Sequence, residues 1–268
     1  MKISANLSLL FTELPMILRP LAAAAAGFDG VEIQFPYELP ALQLKEELER
    51  AEMPLVLINM PAADLMQGGA GLAAVPASRE HFRNALEEAL RYAAVVRPAC
   101  INVLAGRLPV GCSRPEALST LEANLRLAAG AFDSLGIQVL CEAINPLDMP
   151  GFLINTPEQL DELLRRVDHS NCLAQLDLYH LARQGLDIVE GVNLLSGRIG
   201  HVQFADCPGR GAPGSGQMDF SMALKALAAG GYSGWFGAEF NAPSVFPEDC
   251  CWLPGWRAEW EHLIAEGR

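Results

Sequence analysis

Four polar side chains lie in short apolar runs of this sequence, and their types suit metal binding and proton transfer. Glu142, Asp177 and Glu239 each end such a run, and Gln203 lies within a fourth. Acidic or amide groups at the ends of buried strands are unfavourable unless they bind something. An all-oxygen set of this kind suits Mg²⁺ or Mn²⁺ better than zinc or copper. The sequence therefore predicts a divalent-metal site made by these four residues.

Such a site favours carbon-acid chemistry. A bound metal could hold the carbonyl and hydroxyl oxygens of an α-hydroxy ketone or aldehyde and stabilise an enediolate. A carboxylate on each side of the substrate could then take a proton from one carbon and deliver it to the next. We expect Glu142 and Glu239 to be this acid/base pair. Each residue alone would also suit a rim salt bridge or a satisfied core amide, so the prediction depends on the combination.

Two histidines lie near these positions in the sequence. His180 follows Asp177 by three residues, and we expect it to hold Glu142 or to contact the substrate. His201 is in phase with Gln203 on the same predicted strand, so both a site-facing and a purely structural place stay open for it.

Strand-like and helix-like segments alternate along the chain and must position these residues. Strands are predicted at 2–8, 30–35, 54–59, 99–105, 137–144, 172–178, 199–205 and 235–240. Most are nearly continuous apolar runs, as in parallel strands that are covered on both faces. Helical patterns occupy 14–26, 42–51, 79–96, 115–135, a segment that begins at 156, 187–195, 219–227 and 254–266.

This alternation over 268 residues predicts an α/β fold, a (β/α)8 TIM barrel in a single domain covering 1–268. The active site of such a barrel lies at the C-terminal ends of the strands, where Glu142, Asp177 and Glu239 fall. A doubly wound open sheet is the alternative. It would show a Gly-rich phosphate turn after the first strand, and residues 5–10 contain no glycine.

The net charge and the cysteine pattern indicate which classes of binding partner and which cellular location to expect. A net charge of −13 argues against a nucleic-acid partner or an anionic membrane, since both attract basic surfaces. The seven cysteines show no CxxC spacing and predict reduced structural thiols in a cytoplasmic protein. We expect no signal peptide, no membrane span and a small-molecule substrate. The aromatic run 251–256 with Trp260 leaves a homo-oligomer interface and a cover for the barrel both open.

Several short motifs are spread over nearly the whole chain. They are 5–13, 25–32, 35–37, 142–145 with Asp148, 175–180, 201–206, 208–210, 213–216 and 237–240. Together they resemble the hydroxypyruvate isomerase family, within the xylose-isomerase-like barrels. The resemblance implies a (β/α)8 fold and isomerisation of a small hydroxy-carbonyl compound. The reaction for which the family is named converts hydroxypyruvate to tartronate semialdehyde (2-hydroxy-3-oxopropanoate).

The resemblance also implies roles for single residues. Glu142 and Glu239 match the catalytic acid/base pair. The metal positions of related barrels are matched by Glu142, Asp177, Gln203 and Glu239. His180 and Arg210 match substrate-contacting positions in ketose epimerase relatives, which have a histidine in place of Gln203. We expect Asn6 and Asn145 to bind substrate as well, together with His180 and Arg210.

The rim loops depart from the family pattern. Residues 68–71 read Gly-Gly-Ala-Gly where the family often has Gly-Glu-Arg-Gly, so an arginine that could hold a carboxylate is missing. Residues 211–217 lack two of the family's glutamates, and 240–243 replace the common Tyr-Lys-Pro after Glu239. A 2-oxo-tetronate isomerase, a ketose 3-epimerase and a non-catalytic ligand-binding barrel therefore stay open. A zinc endonuclease-like barrel is disfavoured by the five scattered histidines and the negative charge.

Overall fold

Eight parallel strands close into one barrel in the order β1 to β8, which confirms the predicted (β/α)8 TIM barrel. The structure, a computed structural model, describes residues 1–242 and 250–266. The strands are β1 (Lys2–Asn6), β2 (Gly30–Ile33), β3 (Leu55–Asn59), β4 (Cys100–Asn102), β5 (Gln138–Glu142), β6 (Cys172–Asp177), β7 (Ile199–Phe204) and β8 (Trp235–Ala238). Pairing of β1 with both β2 and β8 closes the barrel. The extent of a single domain over 1–268 stays a prediction.

Helices follow the strands and cover the outside of the barrel. They are α1 (Arg19–Ala25), α2 (Ala41–Arg50), α3 (Arg79–Val96), α4 (Arg114–Asp133), α5 (Pro157–Val167), α6 (Leu178–Arg183), α7 (Ile188–Leu195), α8 (Phe220–Ala229) and α9 (Trp252–Glu266). Thr156 and Asp219 cap α5 and α8, because their side chains accept the backbone N–H groups of Gln159 and Met222. In the described part of the chain, every helix is too short or too polar to cross a bilayer.

Several observed strands are shorter than predicted, and two differences from the prediction have identifiable reasons. The fourth strand ends at Asn102 rather than at 105, because Val103, Leu104 and Ala105 are buried in a loop that continues the apolar run. The short helix α6 was not predicted, since its apolar residues read as a continuation of the strand before it. It begins at Leu178, and its N-cap is Asp177, whose side chain accepts a hydrogen bond from the Tyr179 N–H at 2.8 Å.

The barrel interior has an apolar layer beneath a polar one. Leu57, Cys100 and Leu140 form a small buried cluster separate from the main core. Side chains two residues apart on a strand point to the same face. Asn102 and Glu142, two residues beyond Cys100 and Leu140, therefore point into the barrel one layer closer to its C-terminal end.

The late aromatic run packs against the chain's own barrel. Trp256 lies 4.6 Å from Phe204 and 4.9 Å from Phe220, measured between ring centroids. Trp260 contacts Phe236 on β8 at 5.0 Å. These rings are buried and cover β7 and β8, which accounts for the run without an interface. A homo-oligomer stays a prediction.

Candidate active site

The four residues expected to bind metal all lie at the C-terminal end of the barrel. Glu142 ends β5, Asp177 ends β6, Gln203 lies in β7 and Glu239 directly follows β8. All four are buried. A cavity of about 190 Å³ opens there, and Glu142, Gln203 and Glu239 are among its lining residues. The barrel thus brings together side chains that are up to 97 residues apart in the chain, from Glu142 to Glu239.

Arg210 contacts the carboxylates from the loop between β7 and α8. Its Nη2 lies 2.5 Å from Glu239 Oε2 and 3.6 Å from Asp177 Oδ2. Its guanidinium also lies over the Tyr179 ring, 5.0 Å from the centroid. Burial alone would lower the pKa of Arg210, but Glu239, Asp177 and Glu142 outweigh it and raise that pKa. Arg210 is therefore a permanent cation at this site.

The three carboxyl groups have raised pKa values. Burial raises the pKa of Glu142 well above its ordinary value, and the nearby charges of Asp177 and Glu239 raise it further. Burial also raises the pKa of Asp177 and of Glu239, in each case against the opposing charge of Arg210. One cation does not balance three buried carboxylates, so these groups favour either protonation or a further cation.

The donor set fits a hard divalent cation. Asp177 Oδ2 is buried without a hydrogen-bond partner. Ligand atoms of Glu142, Asp177 and His180 lie within 4.8 Å of one another. An unpartnered carboxylate oxygen beside a second carboxylate is the kind of group that Mg²⁺ or Mn²⁺ satisfies. By distance alone, the ligand that joins Glu142 and Asp177 would be His180, whereas the sequence analysis predicted Gln203 and Glu239 as the other metal ligands.

Gln203 is held by hydrogen bonds on both ends of its amide. Its Oε1 accepts from Gln175 Nε2 at 2.5 Å, and its Nε2 donates to Glu32 Oε2 at 2.8 Å. Gln175 Nε2 also lies 3.0 Å from Glu142 Oε2 and so links the two predicted ligands. A carbonyl oxygen has two acceptor positions, which leaves Gln203 Oε1 one for a cation.

Each of the two glutamates is oriented by a pair of amides. Glu142 Oε2 accepts from Asn102 Nδ2 at 3.1 Å as well as from Gln175. Glu239 Oε1 accepts from Asn6 Nδ2 and from Gln34 Nε2, both at 2.9 Å. Asn6, expected to bind substrate, thus contacts Glu239 and lines the cavity.

The sequence analysis did not single out Gln34, Asn102 or Gln175 as functional residues. The available signal was their place inside or directly after apolar strands, where an unpaired amide is unfavourable.

His201 lies beneath the site rather than in it. The ring is fully buried, and its Nε2 lies 2.8 Å from Glu32 Oε1. Although these two atoms are close, neither ring nitrogen of His201 has a hydrogen-bond partner. Ser4 Oγ donates to the same Glu32 oxygen at 2.5 Å. The Glu32 carboxylate, which also lines the cavity, therefore holds the Gln203 amide in place.

A glycine on β8 makes room for this carboxylate. A Cβ at Gly237 would overlap Glu32 Oε1, which cannot move without leaving Ser4. We expect Gly237→Ala to lower the free energy of unfolding by about 1–3 kcal/mol, as overpacking does. Urea unfolding of the purified variant measures it.

Gly255 provides the matched control. A Cβ at Gly255, in α9, meets nothing within 4 Å. Gly255→Ala is therefore expected to be neutral or to stabilise by up to about 1 kcal/mol. A Gly237→Ala variant as stable as wild type would show that Glu32 is free to shift.

Asp206 orders the loop that carries Arg210. Its buried carboxylate accepts backbone N–H groups of Cys207, Gly214, Gly216 and Met218 at 2.8–3.0 Å. A Cβ at Gly216 would overlap Asp206 Oδ1 and the Cys207 carbonyl oxygen. Asn241 N–H donates to the Arg210 carbonyl oxygen at 2.7 Å and joins this loop to the chain after β8. The guanidinium is thus presented by an ordered loop.

His180 lies between the carboxylates and Asn145. Its Nε2 is 3.5 Å from Asp177 Oδ2 and 3.6 Å from Glu142 Oε1, and its Nδ1 is 2.7 Å from Asn145 Nδ2. Burial, together with the charge of Arg210, lowers the pKa of His180 to about 3. The imidazole is therefore neutral near pH 7. Asn145, expected to bind substrate, lies behind His180, and its substrate contact stays a prediction.

The closed (β/α)8 barrel and the buried carboxylates at the C-terminal ends of its strands place this chain among the barrel proteins whose site could bind a metal ion. Within this class, the chain belongs to the xylose isomerase-like TIM barrel family, whose model matches residues 20–265.

Curated relatives cover almost the whole chain. Hydroxypyruvate isomerase of Escherichia coli (strain K12) is 35% identical over 257 residues, which are 96% of this chain and 100% of the relative. The 2-oxo-tetronate isomerase of Pectobacterium atrosepticum is 34% identical over 95% of this chain and 97% of its own. Among solved structures, an AP endonuclease, family 2, from Brucella melitensis superposes with a TM-score of 0.90 at 33% identity, covering 95% of this chain and 98% of its own.

Proposed function

We propose that the protein is an isomerase that converts hydroxypyruvate to tartronate semialdehyde (2-hydroxy-3-oxopropanoate). The observation that carries this proposal is the pair of buried glutamates with raised pKa values, Glu142 and Glu239, at one cavity. They extend from the ends of β5 and β8, three strands apart in the barrel, and both line the cavity of about 190 Å³. The similarity to the Escherichia coli hydroxypyruvate isomerase supports the same reaction.

The proton transfers follow from the two glutamates. One glutamate, as carboxylate, removes a proton from C3 of hydroxypyruvate and leaves an enediolate. The other, as carboxylic acid, delivers a proton to C2. The C3 hydroxyl proton moves to the former carbonyl oxygen on C2, so the product is an aldehyde at C3 with a hydroxyl at C2. Raised pKa values allow one glutamate to be charged and the other neutral near pH 7.

We propose that Glu142, Asp177, Gln203 and Glu239 hold Mg²⁺ or Mn²⁺. The unpartnered Asp177 Oδ2 and the excess of buried carboxylates support this assignment. Bound there, the ion would act as a Lewis acid that stabilises negative charge on the enediolate oxygens.

Arg210 is proposed to bind the substrate carboxylate. Among the described residues that line the cavity, it is the one arginine, and no lysine is present. It pairs with Glu239 in the structure, and its guanidinium has donors for a second carboxylate. A charged substrate end placed here would leave its hydroxy-carbonyl carbons near Glu239.

A second candidate reaction is the isomerisation of 2-oxo-tetronate. The similarity to the Pectobacterium atrosepticum enzyme favours it. The cavity also extends beyond the carboxylates to the amides of Gln34 and Asn59 and the apolar side chains of Met66 and Leu104. A four-carbon acid would place its additional hydroxyl group against these amides.

We propose that the partner is a small molecule and not a nucleic acid. The Brucella structure is an AP endonuclease by name. The metal-ready cluster found among the described residues of this chain has a single histidine beside two carboxylates, and the net charge is −13. We also propose a cytoplasmic location, supported by the buried thiols Cys100, Cys141 and Cys172.

Proton exchange in D₂O tests the reaction directly. With Mg²⁺ or Mn²⁺ present, we expect the protein to introduce deuterium at C3 of hydroxypyruvate, followed by the NMR signals of tartronate semialdehyde. Parallel samples contain 2-oxo-tetronate or a ketose, and the Glu142→Gln variant is the control. Exchange only with the ketose would favour a 3-epimerase. Absence of exchange with every compound would contradict an enzymatic function and favour a non-catalytic binding barrel.

A further inference from the structure

Backbone hydrogen bonding determines which way the Asn145 amide faces. Asn145 Oδ1 accepts the backbone N–H of Asp148 at 2.8 Å, and Asn145 Nδ2 donates to Asp148 Oδ2 at 3.1 Å. Rotating the amide by 180° would turn its NH₂ group toward a backbone donor and its oxygen toward a carboxylate. Both contacts would be repulsive. The NH₂ group of Asn145 must therefore face His180.

Asp148 is itself held in place from two sides. Its Oδ2 also accepts from the Tyr179 hydroxyl at 2.8 Å, and its Oδ1 lies 3.3 Å from Arg183 Nε. Burial acts to raise the pKa of Asp148, but the hydrogen bonds from Asn145, Tyr179 and Arg183 outweigh it and lower that pKa. Asp148 is thus an ionised acceptor and cannot offer Asn145 a proton.

The orientation of Asn145 assigns the proton on the imidazole. Asn145 Nδ2 lies 2.7 Å from His180 Nδ1. Because the amide nitrogen can only donate, Nδ1 must accept with its lone pair, and the proton of the neutral ring is then on Nε2. We propose that Asn145 and Asp148 hold His180 in the Nε2–H tautomer, so that His180 donates a hydrogen bond into the site and is not a metal ligand.

This assignment decides between the two ligand sets. His180 Nε2 lies near Asp177 Oδ2 and Glu142 Oε1, so distance alone makes it a third ligand. A histidine nitrogen must have a free lone pair to bind a metal, and the Nε2–H tautomer has none at that atom. The cation is left to the oxygen ligands. The N–H group of His180 is instead available to an oxygen of the substrate, an extension that rests on the proposed function.

Nitrogen NMR of the metal-free protein tests the tautomer. In a sample with ¹⁵N-labelled histidine, long-range ¹H–¹⁵N spectra distinguish a protonated from an unprotonated ring nitrogen, and His180→Gln identifies the signal. We expect an unprotonated Nδ1 and a protonated Nε2. In Asn145→Asp, whose carboxylate accepts, Nδ1 is expected to gain a proton. Asn145→Ala should lose the strict preference.

The wild-type spectrum tests the position of the His180 ring proton even if an Asn145 variant fails to fold. Wild-type His180 with its proton on Nδ1 would overturn the proposal, whatever the Asn145 variants do. A thermal unfolding curve of each variant shows whether its spectrum reports a folded protein.

Metal titration tests the second half of the proposal. In Mn²⁺ calorimetry, His180→Gln is expected to weaken binding by less than about tenfold, below the usual effect of a residue that supports a ligand. Asp177→Asn, which removes a proposed ligand, should weaken it by more than about 100-fold. Equal losses in the two variants would make His180 a ligand and overturn the proposal.

These experiments can contradict the tautomer and the proposed function independently of each other. A protein with the expected tautomer and metal affinities that does not turn over hydroxypyruvate contradicts the proposed function alone. A protein that turns over hydroxypyruvate with His180 protonated on Nδ1 contradicts the tautomer alone.

Discussion

Replacing Glu142 or Glu239 with glutamine is expected to lower kcat by about 10²–10⁴-fold, the contribution of a positioned acid or base. Glutamine keeps the size and the hydrogen-bonding oxygen of glutamate, so the amides around each position can still pair. It cannot take or give the proton. Steady-state assays with hydroxypyruvate measure the effect, and a loss in only one variant would assign the proton transfer to a single glutamate. Exposed Glu162 on α5 gives the control variant Glu162→Gln, which should keep the wild-type rate.

Glu142→Gln is also expected to stabilise the metal-free protein. The pKa of Glu142 in the folded state lies well above its ordinary value of 4.5, mainly because of burial. The folded protein therefore binds more protons than the unfolded chain, and its stability falls as the pH rises from 4.5 through the folded-state pKa. Glu142→Gln removes the contribution of Glu142 to this pH dependence and should stabilise the folded protein by about 1–4 kcal/mol at the upper end of that pH range.

Thermal unfolding from pH 5 to 8 measures the difference from wild type. We expect the advantage of Glu142→Gln over wild type to grow with pH. An advantage that shrinks with pH would mean that the carboxylate is stabilised in the folded protein. Such a result would remove the electrostatic reason for a metal at this site.

The sequence predicts where the carboxylates lie because barrel geometry converts chain order into position. Glu142, Asp177 and Glu239 end apolar runs, and strands of a closed parallel barrel all end on one face. No contact between these residues is needed to predict that they share that face. The eight strands could be identified because each is buried on both sides and so reads as an apolar run.

The partners of polar residues inside the strands cannot be predicted in this way. Glu32 and Gln203 are 171 residues apart, and their hydrogen bond depends on the register in which the barrel closes. An apolar pattern shows that a strand is buried but not which residue of another strand faces it. The network in which Gln203 joins Gln175 to Glu32 and Ser4 therefore becomes visible only in the folded barrel.

The orientation of a single amide is also outside what a sequence pattern contains. The sequence analysis expects Asn145 to bind substrate, and the structure places it against His180 Nδ1. This difference follows from one backbone hydrogen bond, between Asp148 N–H and Asn145 Oδ1. Helix α6 is a similar case, because its start depends on the Asp177 side chain that accepts from Tyr179 N–H. Both features depend on local hydrogen bonds, whereas periodicity reports burial.

Removal of divalent metal is expected to lower turnover by about 10³-fold, since a Lewis acid contributes several kcal/mol of charge stabilisation. Exhaustive chelation followed by an assay with hydroxypyruvate measures this loss. Addition of Mg²⁺ or Mn²⁺ should restore the rate in wild type but not in Asp177→Asn. Full activity after chelation would remove the metal from the mechanism and leave Arg210 and His180 as the groups that stabilise the enediolate.

Metal affinity should fall as the pH is lowered. Burial raises the pKa of Glu142, Asp177 and Glu239, so each binds a proton that the metal must displace. Every proton released steepens the dependence by about tenfold in affinity for each pH unit. Calorimetry between pH 6 and 8, in buffers of different ionisation enthalpy, counts these protons. A pH-independent affinity would mean that the carboxylates are already ionised. In that case Arg210, the cation already in contact with Glu239 and Asp177, would be sufficient to balance them.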